Sequence, residues 1–285
     1  MSQKGGHFDA DWLSLREPAD AAARSLALVD RLDAWLTDRD SVQIIDLGAG
    51  HGSNLRFLGP RLQGRQHWLL VDRDAELLKH ATRHSPARGT DGQTISVQSR
   101  SGDLSELAGM ALPRPDVLTA SALLDLCSRQ WIEMLVEHMA SWRCAGLFSL
   151  NVNGRRFFVD HDGQEIVNRD DGQMAAWFND HQRQDKGLGR ALGPDAVTML
   201  AAELEPAGFK VFQESTPWHC PAGDADTSAL ARALVDGWRL AALEFAPGHG
   251  EFIDRWHRER MEWLNRKQAG LVIGHIDLLA IPAHP

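Results

Sequence analysis

Apolar positions along the chain follow two alternating rhythms. Short β-branched or aliphatic runs recur at 42–45, 67–71, 94–98, 115–121 and 145–152. Between them apolar residues return about every 3.6 positions, as over 75–84 and 130–143. Strand and helix alternating five times predict an α/β fold built on a doubly wound parallel sheet. Ahead of the first strand, Ala21, Leu26, Leu28, Val29, Leu32, Trp35 and Leu36 carry the helical period, so the chain reads as helical from Phe8, and Pro18 suits a helix start.

The pattern changes after Asn153. Residues 153–163 read as a hairpin or loop inserted after the fifth strand, and 174–186 as a helix mixing aromatic and hydrogen-bonding side chains. A further helix over 195–207 leads to a sixth strand at 209–214. Residues 223–267 are helical around a Pro247-Gly248 break, and Leu271 to Ile281 is a long final strand. The expected organisation is one domain over 1–285: N-terminal helices (1–40), a core (41–152), an insert (153–193), a helical cap (218–268) and a last strand (269–285).

Composition narrows the class. Of 285 residues 43% are hydrophobic and 24% charged, ordinary for a globular protein, and the formal charge is −9. No long basic run is present to neutralise phosphates, which argues against a nucleic-acid partner. Cys127, Cys144 and Cys220 form no C-x-x-C pair and read as reduced, packed thiols. No apolar stretch reaches about eighteen residues, so no membrane span is expected and the protein is read as cytoplasmic. His80 and His84 stand at i,i+4, but no Glu follows His80 in the H-E-x-x-H manner, so no metal is expected.

The chemistry concentrates where the first strand ends, at Asp46-Leu47-Gly48-Ala49-Gly50-His51-Gly52-Ser53-Asn54. A strand, a glycine turn and a helix start bring bare backbone N–H groups up to a ligand. A dinucleotide fingerprint is G-x-G-x-x-G, and its third small position is here Ser53. Asp72 closes the second strand, twenty residues after Gly52, where a carboxylate accepts from a ribose diol. Asp103 and the small residues Ala120 and Ser121 follow the third and fourth strands. All these positions lie just beyond strand C-termini, where open α/β sheets bind ligands.

Together these residues resemble the class I S-adenosylmethionine-dependent methyltransferases, whose first motif is Asp/Glu-x-Gly-x-Gly-x-Gly. The resemblance implies a seven-stranded Rossmann-like sheet with its last strand antiparallel, N-terminal helices lying over the cofactor and a helical insert between the last two strands. It implies S-adenosyl-L-methionine as cofactor, S-adenosyl-L-homocysteine as product, and a small organic methyl acceptor whose atom, O, N or C, stays open. Cofactor-binding candidates are Arg16, Arg24, Asp46, Gly48, Ala49, Gly50, Asn54, Asp72, Arg73, Gly102, Asp103, Leu104, Ala120 and Ser121. Either Arg16 or Arg24 is implied as partner of the methionine carboxylate. On residue pattern alone, Arg16, Glu17, Asp20 and Arg24 form a solvated charged face with an Asp20–Arg24 pair.

Substrate-side candidates are Leu123, Leu124, Trp177, Phe178 and Gln182. For a base, if one is needed, the order is His181, Asp125, Asp185 and His161. The cap is expected to close over substrate or to form a homodimer surface. Two rivals stay open: a nicotinamide-dependent oxidoreductase, and a non-catalytic S-adenosylmethionine-binding protein.

Overall fold

The computed structural model describes residues 10–283, so the expected helix start at Phe8 lies outside the described residues. Five strands run parallel: β1 (Ser41–Leu47), β2 (Arg65–Asp72), β3 (Ile95–Ser101), β4 (Val117–Ser121) and the first part of β5 (Ala145–Val159). Strand β8 (Gly270–Pro282) is antiparallel to β5 on one side and to β6 (Phe209–Ser215) on the other. The sheet order is β3-β2-β1-β4-β5-β8-β6, and a short eighth strand, β7 (Trp218–Cys220), also pairs with β8. The fold is Rossmann-like, with its last strand reversed.

Successive side chains of a strand point to opposite faces, so the runs read in the sequence feed two cores. Val42, Ile44, Trp68 and Leu70 pack with α2 (Leu26–Leu36), α3 (Ser53–Leu58) and α4 (Ala75–Arg83). Ile45, Leu47, Val71 and Leu118 pack with α5 (Arg129–Trp142) and α7 (Ala196–Leu204). A third core lies off the sheet edge, where α6 (Arg169–Gln182), α8 (Ala225–Phe245) and α9 (Gly250–Asn265) close around Phe158, Trp238 and Trp256. The cap is pinned by a buried ion pair. Arg260 donates from Nε to Asp171 Oδ1 at 2.7 Å, and Trp256 Nε1 donates to the same oxygen at 2.6 Å, tying α9 to α6.

Several expectations change. Residues 153–159 are not a hairpin or loop: β5 continues through them against the first half of β8, a ladder partner more than a hundred residues away. Register shifts fall between Phe148 and Asn151 and between Val152 and Arg156, beside Leu150 (φ 57) and Gly154 (φ 79). Such bulges bend a strand and re-aim its side chains. The cap region opens with strand β7 rather than helix. Pro18 sits inside helix α1 (Ala10–Ala23), not at a start, and the break comes at Ser25, whose hydroxyl caps α2 by accepting from Leu28 N. A proline in a helix interior costs about 3 kcal/mol. Tertiary ties offset that cost, among them Glu17 gripping Arg56 through both carboxylate oxygens at 2.7 and 2.6 Å.

Candidate functional site

The glycine turn is held open by backbone geometry and tied down by side chains. Gly48, Gly50 and Gly52 all have positive φ (65, 51 and 88), which glycine adopts at no steric cost. A Cβ on Gly52 would stand 2.8 Å from Cβ of Ala81, so the turn seats against α4 only because that atom is absent. Gly50 N–H donates to Asp72 Oδ2 at 2.8 Å and Asp74 N–H to Asp72 Oδ1 at 2.9 Å. Asp72 therefore spans the turn and the β2 end, and each of its oxygens keeps acceptor capacity.

Beneath the turn runs a buried polar chain. Arg24 Nη1 donates to Asn54 Oδ1 at 3.0 Å, while Asn54 Nδ2 donates to Asp46 Oδ1 at 2.7 Å and to Thr119 Oγ1 at 3.1 Å. Arg24 Nη2 donates to Ser121 Oγ at 2.8 Å. Asp46 is fully buried, and its Oδ2 has no hydrogen-bond partner. Burial pushes its carboxyl up to about 7, against the opposing pull of Asn54 and Arg24. Nearby, Asp20 Oδ1 is also buried without a partner, while Asp20 Oδ2 accepts from Arg16 Nε at 2.9 Å.

The charged group at the start of the chain is thus an interior feature and not a solvated face. Asp20 and Arg24 are 3% and 4% exposed, and Asp20 pairs with Arg16 where an Asp20–Arg24 pair was expected. Burial lowers the Arg24 pKa, opposed by Asp20, Asp277 and Asp46. Helix α1 is clamped over the turn by Glu17. Although burial acts to raise its carboxyl, hydrogen bonds from His51 and Arg56 hold it at about 2.

Two cavities meet at this end of the sheet. The first is lined by Arg16, Asp46, Gly48, Ala49, Gly50, Asn54, Asp72, Arg73, Gly102, Asp103, Leu104 and Ser121. Of the cofactor candidates, Arg24 and Ala120 are outside that lining. Arg24 is committed to Asn54 and Ser121, and Ala120 faces the core under α5. Asn54 reaches the cavity wall, but its amide is already bonded to protein, so its part is to position Asp46. The lining also includes Leu13, Asp20, His51 and Leu77, which sequence reasoning passed over. Asp20 was visible as part of the dense charged group, and His51 as a member of the glycine turn. Nothing local marked Leu13 or Leu77.

The second cavity shares Arg16, Arg73, Ala122, Leu126, Lys186 and Gly187 with the first. Ala122 stands at the junction in a left-handed conformation (φ 51), its N–H donating to Ser149 O at 2.9 Å. That turn takes the chain sharply out of β4. Phe178, His181, Gln182, Asp125 and Asp185 line the second cavity, with Trp12, Leu150, Arg156, Trp218, Trp238 and His275. Three substrate-side candidates lie elsewhere. Leu124 is fully buried in the core, and Trp177 packs on His249 and Phe252 of the cap. Leu123 lines the first cavity, where a Cβ on Gly48 would stand 3.2 Å from its Cδ1. His161 borders a separate surface groove beside β7.

The proton-handling groups have distinct settings. Burial raises the Asp125 carboxyl to about 6, against the pull of its own backbone N–H, and Gln182 Nε2 donates to its Oδ2 at 3.4 Å. His181 is buried, with Nε2 3.2 Å from Glu244 Oε2. Burial and then Lys186 hold its pKa below the usual value, outweighing Glu244. His275 is neutral, held near 3 by burial, Arg16 and Arg156. Among the described residues no group of three or more metal-ligating side chains is present.

This architecture is shared with solved structures. A cyclopropane-fatty-acyl-phospholipid synthase-like protein from Lactobacillus casei superposes with a TM-score of 0.56 at 13% identity, over 96% of this chain and 94% of that one. The likeness is one of fold. A SAM-dependent methyltransferase from Geobacter sulfurreducens in complex with S-adenosyl-L-homocysteine gives 0.45 at 14% identity, over 96% and 98% of the two chains. An O-methyltransferase family protein from Burkholderia thailandensis gives 0.45 at 14%, over 95% of this chain and 57% of that one. No family model and no curated protein matches the sequence.

Proposed function

We propose that the chain is a class I S-adenosylmethionine-dependent methyltransferase acting on a small organic acceptor. The observation that carries this reading is the pair of cavities meeting at Ala122, one walled by the glycine turn and Asp72, the other by the insert and cap. The first cavity suits the cofactor chemically. Asp72 offers acceptors for a ribose diol and Asp103 lies across the cavity beside Leu104, suited to an adenine amine. Arg16 suits a carboxylate, and the unpartnered oxygens of Asp46 and Asp20 suit an ammonium.

The cofactor, when bound, supplies an electrophilic methyl group on a sulfonium. The protein's work is alignment and exclusion of water. Helix α1 and the 186–188 segment wall the junction, and Ala122 leaves room for an acceptor to approach. Asp125, kept partly protonated near pH 6 by burial, is read as the group that accepts a proton from the acceptor. His181, neutral and held by Glu244, is read as orienting it.

Helices 1–40 are read as a lid, 41–152 as the cofactor core, and 153–193 with 218–268 as the substrate walls. Among the described residues no helix is long and apolar enough to cross a membrane. Cytoplasmic residence is proposed from three buried thiols without disulfides. Exposed Leu240 and Phe245 on α8 support a homodimer through the cap, which sedimentation would read directly.

Calorimetry with S-adenosylmethionine, S-adenosylhomocysteine and NADH tests the assignment. Binding of the first two and not the third is expected, and binding of NADH alone would overturn it. Asp72→Ala removes a charged acceptor worth about 1.5–3 kcal/mol per hydrogen bond and is expected to weaken binding on the order of 100-fold.

A further inference from the structure

Among the described residues, one cation of the second cavity, Arg156, neither hydrogen-bonds nor ion-pairs with a carboxylate. Arg156 lies on β5 just past the second register shift and is half-buried. Its guanidinium carbon is 4.2 Å from the ring centroid of Phe178 and 5.6 Å from that of Trp238. Among the described residues all its acceptors are neutral. Nη1 donates to Ala175 O at 3.3 Å, and Nη2 donates to Asn179 Oδ1 at 2.8 Å and Gln182 Oε1 at 3.4 Å. Among the described residues Nε has no acceptor, and a guanidinium has five N–H donors to place.

The other cations of this cavity differ. Arg16 is paired with Asp20, Lys186 feels Glu244, and Arg73 acts on Asp103. Burial with no carboxylate to oppose it draws the Arg156 pKa down to about 9, so the group is still a cation at neutral pH. A desolvated cation without a counter-charge is costly, and a ligand that supplies the charge recovers that cost on binding. Leu150, Phe178, Trp218, Leu234, Trp238 and Ile273 give the cavity an apolar and aromatic part, while its carboxylates are Asp125, Asp185 and Glu244.

We propose that the methyl acceptor is a small organic acid with an apolar or aromatic body, its carboxylate held by the guanidinium of Arg156. The inference rests on the reading of the second cavity as the acceptor site. Gln182, which accepts from Arg156 Nη2 at 3.4 Å and donates to Asp125 Oδ2 at 3.4 Å, sets the anchored acid group one amide away from the candidate base. Planar guanidinium recognition also predicts a preference for carboxylate over its uncharged amide.

The test needs no turnover. Benzoate, 3-phenylpropionate, 4-hydroxyphenylacetate and indole-3-acetate are titrated calorimetrically, each beside its primary amide, into the full chain with and without S-adenosylhomocysteine. At least one acid is expected to bind ten-fold or more tighter than its amide. Arg156→Gln should abolish that difference, and Arg156→Lys should restore part of it. Equal binding of acid and amide, no binding by any acid, or an acid preference that survives in a folded Arg156→Gln protein would each overturn the proposal. The wild-type comparison stands even where Arg156→Gln fails to fold. Because S-adenosylhomocysteine binding is scored separately on the same protein, loss of the cofactor reading and loss of this one are distinguishable.

Discussion

Asp46 gives the sharpest physical test of the site. Its side chain is fully buried, one oxygen has no partner, and its carboxyl titrates near 7 against the ordinary 3.8. The folded protein thus keeps a proton that the unfolded chain releases near pH 4. This group's stabilising contribution is whole below about pH 4, and it is lost as pH rises through 7. Each pH unit between the two values is worth about 1.4 kcal/mol, so between pH 5 and pH 8 the group alone lowers stability by about 2–3 kcal/mol.

Asp46→Asn mimics the protonated acid and cannot ionise. Its stability relative to wild type should improve by that amount on going from pH 5 to pH 8, other titrations cancelling in the difference. Urea unfolding followed by tryptophan fluorescence at the two pH values measures the gap. A gap constant within about 0.5 kcal/mol would refute the reasoning, because it would mean that the orphan oxygen is solvated and the carboxyl titrates normally. A cation at that oxygen should reverse the shift. Binding of S-adenosylhomocysteine near pH 6 is therefore expected to release up to one proton, read from calorimetry in buffers of different ionisation enthalpy.

Four other outcomes follow from the same structure. Arg260→Ala leaves Asp171 buried beside an empty site and should cost about 3–5 kcal/mol by urea unfolding, whereas the double variant Asp171→Asn/Arg260→Met should recover most of it. Gly52→Ala combines a φ of 88 with a Cβ 2.8 Å from Ala81 and should cost about 2–4 kcal/mol. Gly92→Ala, at φ 79 in open space, should cost about 1 kcal/mol by the same assay. With an accepted substrate, kcat/KM should rise with pH through about 6 as Asp125 loses its proton, and Asp125→Asn should abolish that limb.

Sequence and structure divide the protein along a physical line. The parallel core was legible because its central strands are buried on both faces and each helix on one. Burial then prints a local period: Ile44 and Ile45 face opposite cores and had to be apolar together. The glycine turn was legible because positive φ demands glycine locally, and the place of Asp72 because it closes a locally apolar strand. What failed was whatever depended on a distant partner. The continuation of β5 to Val159 needs β8, the placement of Pro18 within a helix needs Arg56, and the burial of Asp20 and Arg24 needs the distant elements packed against them.

The acceptor side belongs almost wholly to tertiary structure. Trp177 and Phe178 are aromatic neighbours on one helix, yet a helix turns 100° per residue, and only Phe178 meets the cavity. Arg156 falls in the segment read as a hairpin or loop. It became a candidate anchor only when a register shift set it against two aromatic rings with neutral hydrogen-bond acceptors. A period in the sequence reports which face is buried, but it carries no record of what a buried charge finds there. The sequence therefore determined the sheet and the glycine turn at its C-terminal end, and folding alone decided which charges found no carboxylate partner.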